Sequence, residues 1–394
     1  MKRIVVLVVM LICAVFIFAQ SSKQESNQTI QHEASAINIE VPVRVYKGDE
    51  FVDNLSIVDF ELYEDGILQT IDDVYLIRHT KIIEQDHRDP DKNEIPKPAQ
   101  QYIPSTSRNF VIMFEIINYL PKIGLAIDHF FNNVVQPKDS IIIVTPQKTY
   151  SFKSEAFQKI SKAQIVEQLK NKLKKDSYLA NREYQNLLRD FKGIQRIPYP
   201  PEIQEVKKNM LLEIFRKLKS LMYFDEKKAL SFADYLKKQE GQKHVFFFYQ
   251  KYLLPVPPDL SDWDEFELFQ DISYNTDRIR EMFSDSTITC HFLYIPDTPA
   301  DEEGFKQNEF NGKWIDQSAG IFRGFNQISE VTGGISSSSI NPEYSFQKAV
   351  EASENYYVLY YSPKNYSADG KFKKIKVKVK GNYKVLHRAG YIAD

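Results

Sequence analysis

A single acidic residue, Glu115, interrupts the apolar stretch FVIMFEIINYL (110–120) at the point where a buried strand should emerge. A carboxylate in that place can ligate a hard cation or act as a general acid or base. A metal needs several oxygen ligands, and acid–base chemistry needs a second titratable group within hydrogen-bond reach. For a hydrolase, Asp297 after the apolar stretch TITCHFLYI (287–295) is the candidate second acid.

The other side chains that often carry catalysis form no recognisable set. The seven histidines show no zinc-binding spacing. Cys290 lies inside an apolar stretch, where an inert thiol is expected, and the adjacent His291 points to the opposite face of the same strand. The glycines of VTGGISSSS (331–339) follow a helical pattern instead of a strand, so we expect no phosphate-binding loop there. We therefore predict a protein without catalytic residues, metal or cofactor.

The first twenty residues have the composition of a secretory signal peptide. A basic start precedes an apolar run that ends at Ala19, and the polar residues 21–36 form a predicted tether. Removal of residues 1–20 leaves one cysteine, Cys290, and changes the formal net charge from −2 to −4. We predict a periplasmic or secreted protein with no disulfide and no basic field for nucleic acid. The alternative is an envelope structural protein, held at the membrane by an uncleaved segment.

Both ends of the remaining chain have the two-residue periodicity of strands. In residues 37–80, apolar and polar side chains alternate along INIEVPVRV, and an Asp-Gly pair indicates a hairpin. In residues 356–394, the stretch KIKVKVK (374–380) places Ile375 inward and the lysines outward. The lysines protect an exposed strand from aggregation or, alternatively, bind an anionic ligand. We expect the two terminal segments to pack together as a small β-sandwich-like unit.

The middle of the chain has the pattern of an α/β unit. Continuous apolar stretches separated by helical patterns predict a mostly parallel sheet with helices on both faces. Residues 81–107 contain several prolines and charges and are assigned to a linker, and residues 108–355 are assigned to the α/β unit. Residues 153–240, rich in Lys, Glu, Gln and Leu with helical spacing, are a predicted helical insertion between two strands.

The order of strand, acid, helix and strand in FVIMFEIINYL…DSIIIVTP…GQKHVFFFYQ…ITCHFLYIPD resembles a von Willebrand factor type A domain. The flanking segments VPVRVYKG…FVDNLSIVDFELYEDGILQTI and ISEVTGGI…YYVLYYSPKNYSADGKFKKIKVKVK…VLHRAGYIAD are similar to the beginning and the end of the bacterial exported VWFA-related family. The resemblance covers residues 37–394 except the helical insertion. It implies a Rossmann-like fold for the α/β unit.

The metal-site motif that this resemblance implies is degenerate. Type A domains carry Asp-x-Ser-x-Ser after the first strand and a further aspartate after a later strand. Here Glu115, Ile117 and Tyr119 stand at the first motif, and Gln250 stands at the later position. Isoleucine offers no ligand, glutamine carries no charge, and glutamate is longer than aspartate by one methylene. We therefore predict that the site no longer binds a metal.

These patterns favour a protein-binding or assembly module that works without metal control. Its contact surface is expected where the strands of the sheet end, because ligands of open α/β sheets gather there and tyrosine suits protein contacts. The predicted contact residues are Glu115, Ile117, Asn118, Tyr119, Gln250, Lys251 and Tyr252. Two alternatives stay open: these side chains only cap the sheet, or the helical insertion supplies the contact surface. The partner is another protein, which the sequence does not identify.

Overall fold

The computed structural model describes residues 37–79, 81–87, 107–152, 160–198, 200–221, 226–250, 253–256, 276–285, 287–296, 313–316 and 318–394. The predicted signal peptide and the predicted tether lie outside these residues, as do Lys251, Tyr252 and Asp297. The described fold is mixed α/β with several sheets. Within the described residues, no helix is both long enough and apolar enough to cross a membrane.

The strands are numbered along the chain. They are β1 (Ile39–Lys47), β2 (Glu50–Phe51), β3 (Phe60–Glu64), β4 (Ile67–Gln69), β5 (Asp73–Arg78), β6 (Lys81–His87), β7 (Arg108–Glu115), β8 (Ser140–Val144), β9 (Thr149–Phe152), β10 (Gln242–Tyr249), β11 (Leu253–Val256), β12 (Ile288–Tyr294), β13 (Lys313–Asp316), β14 (Ser336–Ser338), β15 (Asn355–Tyr361), β16 (Phe372–Val379), β17 (Lys384–His387) and β18 (Gly390–Ile392). The α-helices are α1 (Pro121–His129), α2 (Lys162–Arg196), α3 (Gln204–Ser220), α4 (Glu226–Lys237), α5 (Thr276–Asp285), α6 (Ser318–Val331) and α7 (Pro342–Glu354).

One six-stranded mixed sheet is built from the middle of the chain, in the order β14-β12-β10-β7-β8-β9. Neighbouring strands run parallel except for β8 and β9, which are antiparallel. Every residue of β10 is buried, because helices cover both faces of the sheet and an apolar side chain is favourable on either side. The antiparallel edge strand β9 is a feature that the sequence analysis did not predict.

Two further sheets combine both ends of the chain in a mostly antiparallel half-barrel. The sheet β17-β1-β15-β5-β6 places the N-terminal β1 between the C-terminal β15 and β17, and the sheet β18-β16-β3-β4 pairs β16 with β3. Their inner faces share one apolar core that includes Val41, Val43, Leu359, Ile375 and Val377. Ile375 is buried as the alternation predicts, and the Lys374 and Lys376 side chains beside it are exposed.

A tight turn joins β3 to β4, as the Asp-Gly pair predicts. Asp65 and Gly66 both have positive φ, at 48° and 84°, and glycine adopts such values without a steric cost. The Asp65 carboxylate accepts a hydrogen bond from the backbone N–H of Lys374 at 2.9 Å, and this fixes the turn to β16.

The segment assigned to a linker, residues 81–107, begins with a strand instead. β6 pairs antiparallel with β5 and extends the half-barrel by one strand. The linker prediction is wrong for these residues because Ile82 and Ile83 continue the strand pattern and the first proline comes only at Pro90. Residues 88–106 lie outside the described part of the chain.

The helical insertion packs on the sheet through α2. This helix has 35 residues, so it is about 52 Å long at 1.5 Å per residue. Its first half contributes Leu169 and Leu173 to the core on one face of the sheet. Its second half contributes Tyr184 and Leu188 to the core on the opposite face. The helix therefore passes over the edge of the sheet at which the parallel strands end, which we call the carboxyl edge.

We predict that Ile375→Asp lowers the free energy of unfolding by at least about 3 kcal/mol, because it places a carboxylate in the apolar core of the half-barrel. Lys376→Asp, one residue along and on the exposed face, is the matched control and should change stability by less than about 0.5 kcal/mol. Urea unfolding followed by circular dichroism measures both. Equal losses for the two variants would contradict the assignment of the two faces of β16.

Candidate functional site

The loop that follows β7 is held by the side chain of Gln250. The Gln250 Oε1 atom accepts hydrogen bonds from the backbone N–H groups of Ile117, at 2.9 Å, and Asn118, at 2.8 Å. The Gln250 backbone N–H donates to the carbonyl of Glu115 at 2.9 Å. Ile117 and Gln250 are both buried, so these contacts satisfy polar groups that water does not reach. The glutamine amide thus joins the ends of β7 and β10.

The helix α2 covers the same edge with polar side chains. Asp176 is buried, and its Oδ2 atom accepts hydrogen bonds from the hydroxyls of Thr145, at 2.6 Å, and Tyr150, at 3.2 Å. Thr145 directly follows β8. One turn further along α2, the Asn181 amide donates to Asn118 Oδ1 at 3.1 Å. The helix is therefore fixed by hydrogen bonds to the residues that follow two neighbouring strands.

Glu115 is the last residue of β7 and lies beside Tyr249 of β10 in the sheet. Burial raises the pKa of the Glu115 carboxyl to about 7, because the charged form loses its hydration. None of the described side chains donates a hydrogen bond to it or forms an ion pair with it. A carboxyl with this pKa is about half protonated at neutral pH, and protons compete with cations for its oxygens.

The predicted contact surface is only partly exposed. Ile117 and Gln250 are buried and cannot touch a partner, so their assignment to a contact surface is wrong. Their burial follows from the two hydrogen bonds to Gln250 and from the packing of Ile117 in the core beneath the second half of α2. Asn118 is half-buried and bonded to α2. Lys251 and Tyr252 lie outside the described residues.

Tyr119 is directed toward α1 instead of outward. Its ring packs against the core of the sheet, and its hydroxyl lies where a Cβ on Gly124 would approach to 2.6 Å. A side chain larger than hydrogen at position 124 would displace this ring. Of the predicted contact residues within the described chain, Glu115, Asn118 and Tyr119 keep partial exposure.

Among the described residues, no three histidine, cysteine, aspartate or glutamate side chains converge as a metal-binding group. Among the residues that the structure describes, the contacts at the carboxyl edge involve two carboxylates, Glu115 and Asp176. Asp176 is already bonded to two hydroxyls, and the Gln250 oxygen is occupied by two backbone N–H groups. A divalent cation would have to displace these hydrogen bonds to gain its ligands.

The remaining titratable candidates are buried in the sheet. Cys290 is a free thiol that lies in the apolar core, and burial raises its pKa to about 12. His244 and His291 are also buried, and the His291 ring stacks on Phe246 at 4.9 Å between centroids. Burial holds the pKa of both imidazoles well below the usual 6.5. These side chains are neutral and shielded from solvent, and at Cys290 this agrees with the inert thiol predicted from the sequence.

Asp176 and Asn181, the two α2 residues that close the edge, are not among the residues predicted from the sequence. Both lie in a helical pattern dominated by lysine, glutamate and glutamine, where a polar residue normally faces water. A local signal was present in the sequence. Leu169, Leu173 and Ala180 have the spacing of a buried helix face, and Asp176 and Ser177 fall on that same face. A carboxylate on the buried side of a helix requires hydrogen-bond partners, and Asp176 finds them in Thr145 and Tyr150.

Comparison of the chain with protein-family models, with curated proteins and with solved structures gives no match. The resemblance to type A domains therefore stays a prediction from the quoted motifs.

We predict that Gln250→Ala lowers the free energy of unfolding by about 2–4 kcal/mol. The substitution removes the acceptor for two N–H groups, and a buried donor without a partner costs about 1–3 kcal/mol. The control is Gln239→Ala, which should be nearly neutral, because Gln239 follows α4 and its amide donates to the carbonyl of Tyr235 at the surface. If both substitutions changed the urea midpoint equally, the closing role of Gln250 would be disproved.

We predict that Glu115→Gln stabilises the protein at pH 8 by about 1–3 kcal/mol and has little effect at pH 4. The carboxyl binds its proton more tightly in the folded state than in the unfolded state. Wild-type stability therefore falls as the pH rises from the unfolded value of 4.5 through the folded value of about 7, and glutamine removes this loss. Urea unfolding across this pH range, with Glu167→Gln on the exposed side of α2 as control, measures the difference. A gain that is independent of pH would refute the raised pKa.

Proposed function

We propose that this protein is an exported, non-enzymatic protein-binding module, built on a Rossmann-like type A domain that has lost its metal site. The proposed loss of the metal site rests on Gln250, whose side chain closes the carboxyl edge. Its amide oxygen stands at the position of a metal-ligating aspartate in the resemblance, and two backbone N–H groups occupy it. The parallel pairing of β8, β7, β10 and β12 supports the proposed type A order of strands.

The contact surface that we propose is the tip of the α2–α3 hairpin. Four large apolar side chains, Ile197, Ile203, Val206 and Met210, lie there with between 38% and 53% of their surface exposed. Further along α3, Leu211, Leu212, Phe215 and Leu218 are buried. An exposed apolar patch on a folded domain indicates a contact with another protein.

The preferred partner is a protein with an apolar surface of its own. The proposed contact needs no metal, because the hairpin tip consists of aliphatic side chains and Met210, and their burial is the driving force. In this proposal the helical insertion binds the partner, as in one of the two alternatives left open by the sequence. The carboxyl edge then has a structural role.

We predict that a photo-crosslinking residue at Val206 captures a discrete protein from envelope extracts, whereas one at Glu167 does not. The product should disappear when Met210→Glu is added and should be equally abundant with EDTA or with millimolar Mg²⁺. Met210→Glu lies on an exposed position and should leave the melting temperature unchanged, so loss of the product would report on contact. Equal products at Val206 and Glu167, or a product that requires Mg²⁺, would contradict the proposed surface.

Thermal unfolding with EDTA, Mg²⁺, Mn²⁺ or Ca²⁺ tests the loss of the metal site separately. A cation that binds only the folded state raises the melting temperature, and we expect no rise. A rise that Glu115→Gln removes would show a working metal site and would overturn this part of the proposal.

A further inference from the structure

A row of lysines lines the outer face of β16. Lys374, Lys376 and Lys378 alternate with the buried Ile375 and Val377, so all three point away from the core of the half-barrel. Alternate residues of a strand lie about 7 Å apart. The ammonium groups therefore form a line with a regular spacing on a rigid element.

These lysines form one wall of an open cleft of about 900 Å³. Arg280 of α5 also lines it, and so do the rings of Tyr63 and Phe372. The Lys378 ammonium lies over the Tyr63 ring, 4.8 Å from its centroid, which fixes that side chain against the cleft. The cleft thus combines four basic side chains with aromatic surface.

The positive charge of the cleft is only partly balanced. Three carboxylates lie on the neighbouring β3 and its turn. Glu61 is opposite Lys378 in the sheet, and Asp65, which lines the cleft, accepts the backbone N–H of Lys374. Glu64 is buried and accepts hydrogen bonds from the Tyr361 and Tyr391 hydroxyls. Arg280 has a longer contact of 3.6 Å with Asp277 in its own helix. Around β16 itself, residues 371–388 contain seven lysines and one arginine and no acidic residue.

We propose that this cleft binds an acidic peptide segment in an extended conformation. Carboxylates at alternate positions of such a segment also repeat about every 7 Å, which matches the spacing of Lys374, Lys376 and Lys378. The aromatic surface of Tyr63 and Phe372 accepts an apolar side chain between those carboxylates. This site lies on the half-barrel and is separate from the proposed contact surface of the hairpin tip.

The apolar part of the cleft favours a peptide over other polyanions. A sulfated polysaccharide or a nucleic acid backbone would form ion pairs with the four basic side chains. It would leave much of the surface of the Tyr63 and Phe372 rings without a partner. The whole chain has a formal net charge of −2, so it supplies no long-range field for nucleic acid. Charge complementarity confined to one cleft is the pattern expected for a short acidic segment.

The test is fluorescence anisotropy with a labelled dodecapeptide that has glutamate at alternate positions and one central phenylalanine. We expect saturable binding that weakens as salt is raised from 50 to 300 mM, because exposed charges are screened over about 10 Å at 0.1 M. Lys376→Glu should weaken binding about tenfold, and the milder Lys376→Gln should weaken it about threefold. Arg280→Gln should give a loss similar to that of Lys376→Gln.

Lys384→Glu is the matched control, because it makes the same charge change on the exposed face of β17, outside the cleft. It should bind the peptide within twofold of the wild type, and melting temperatures should show that all variants are folded. A peptide with glutamine in place of glutamate should not bind. The proposal is overturned if Lys384→Glu and Lys376→Glu weaken binding equally. It is also overturned if heparin binds more tightly than the peptide with the same dependence on Lys376.

Discussion

The carboxyl edge of the central sheet imposes a constraint that much of the structure satisfies. Where parallel strands end, backbone N–H groups leave the ladder and need new acceptors if water is excluded. Gln250 supplies one oxygen to two such groups, and Asp176 and Asn181 of α2 bond to the residues that follow β8 and β7. A long amphipathic helix can then pass over the edge and place apolar residues on both faces of the sheet. Without these polar contacts, the same helix would bury unsatisfied groups at its midpoint.

Two buried arginines bond across elements, and one of them, Arg44, joins the half-barrel to the α/β unit. Arg44 of β1 donates hydrogen bonds to the carbonyl of Ala352 in α7 and, at 3.1 Å, to that of Gly333 after α6. Arg108 at the start of β7 makes a two-point contact with Asp139, at 3.0 and 2.7 Å, and reaches Glu354 at the end of α7. Both guanidinium groups are buried, and such groups are tolerated only when their donors are satisfied. They help to make residues 38–394 one compact unit.

Local patterns predicted the elements better than the contacts between them. The alternation around Ile375 gave the correct buried face, the Asp-Gly pair gave the turn after β3, and the apolar run before Glu115 gave a strand that ends at that residue. Each of these features is set by neighbours within a few positions. The path of α2 over the carboxyl edge depends on two long-range hydrogen bonds. One joins Asp176 to Thr145, 31 positions away, and the other joins Asn181 to Asn118, 63 positions away. No periodicity within a helix encodes such pairings. The carboxyl edge was therefore predicted as an exposed contact surface, although α2 covers it.

Closure of the edge separates residues that stabilise the fold from residues that are free to bind. Gln250 and Ile117 contribute to folding, so a loss of binding on their substitution would be indistinguishable from unfolding. Val206, Met210 and Lys376 are exposed, and an exposed side chain gains little from folding because burial is the main favourable term. Changes there leave the core intact, and their effects on a partner report contact alone. The apolar hairpin tip and the basic cleft also differ in chemistry, since one depends on apolar burial and the other on screened charge. Salt should therefore weaken binding at the cleft while leaving binding at the tip nearly unchanged.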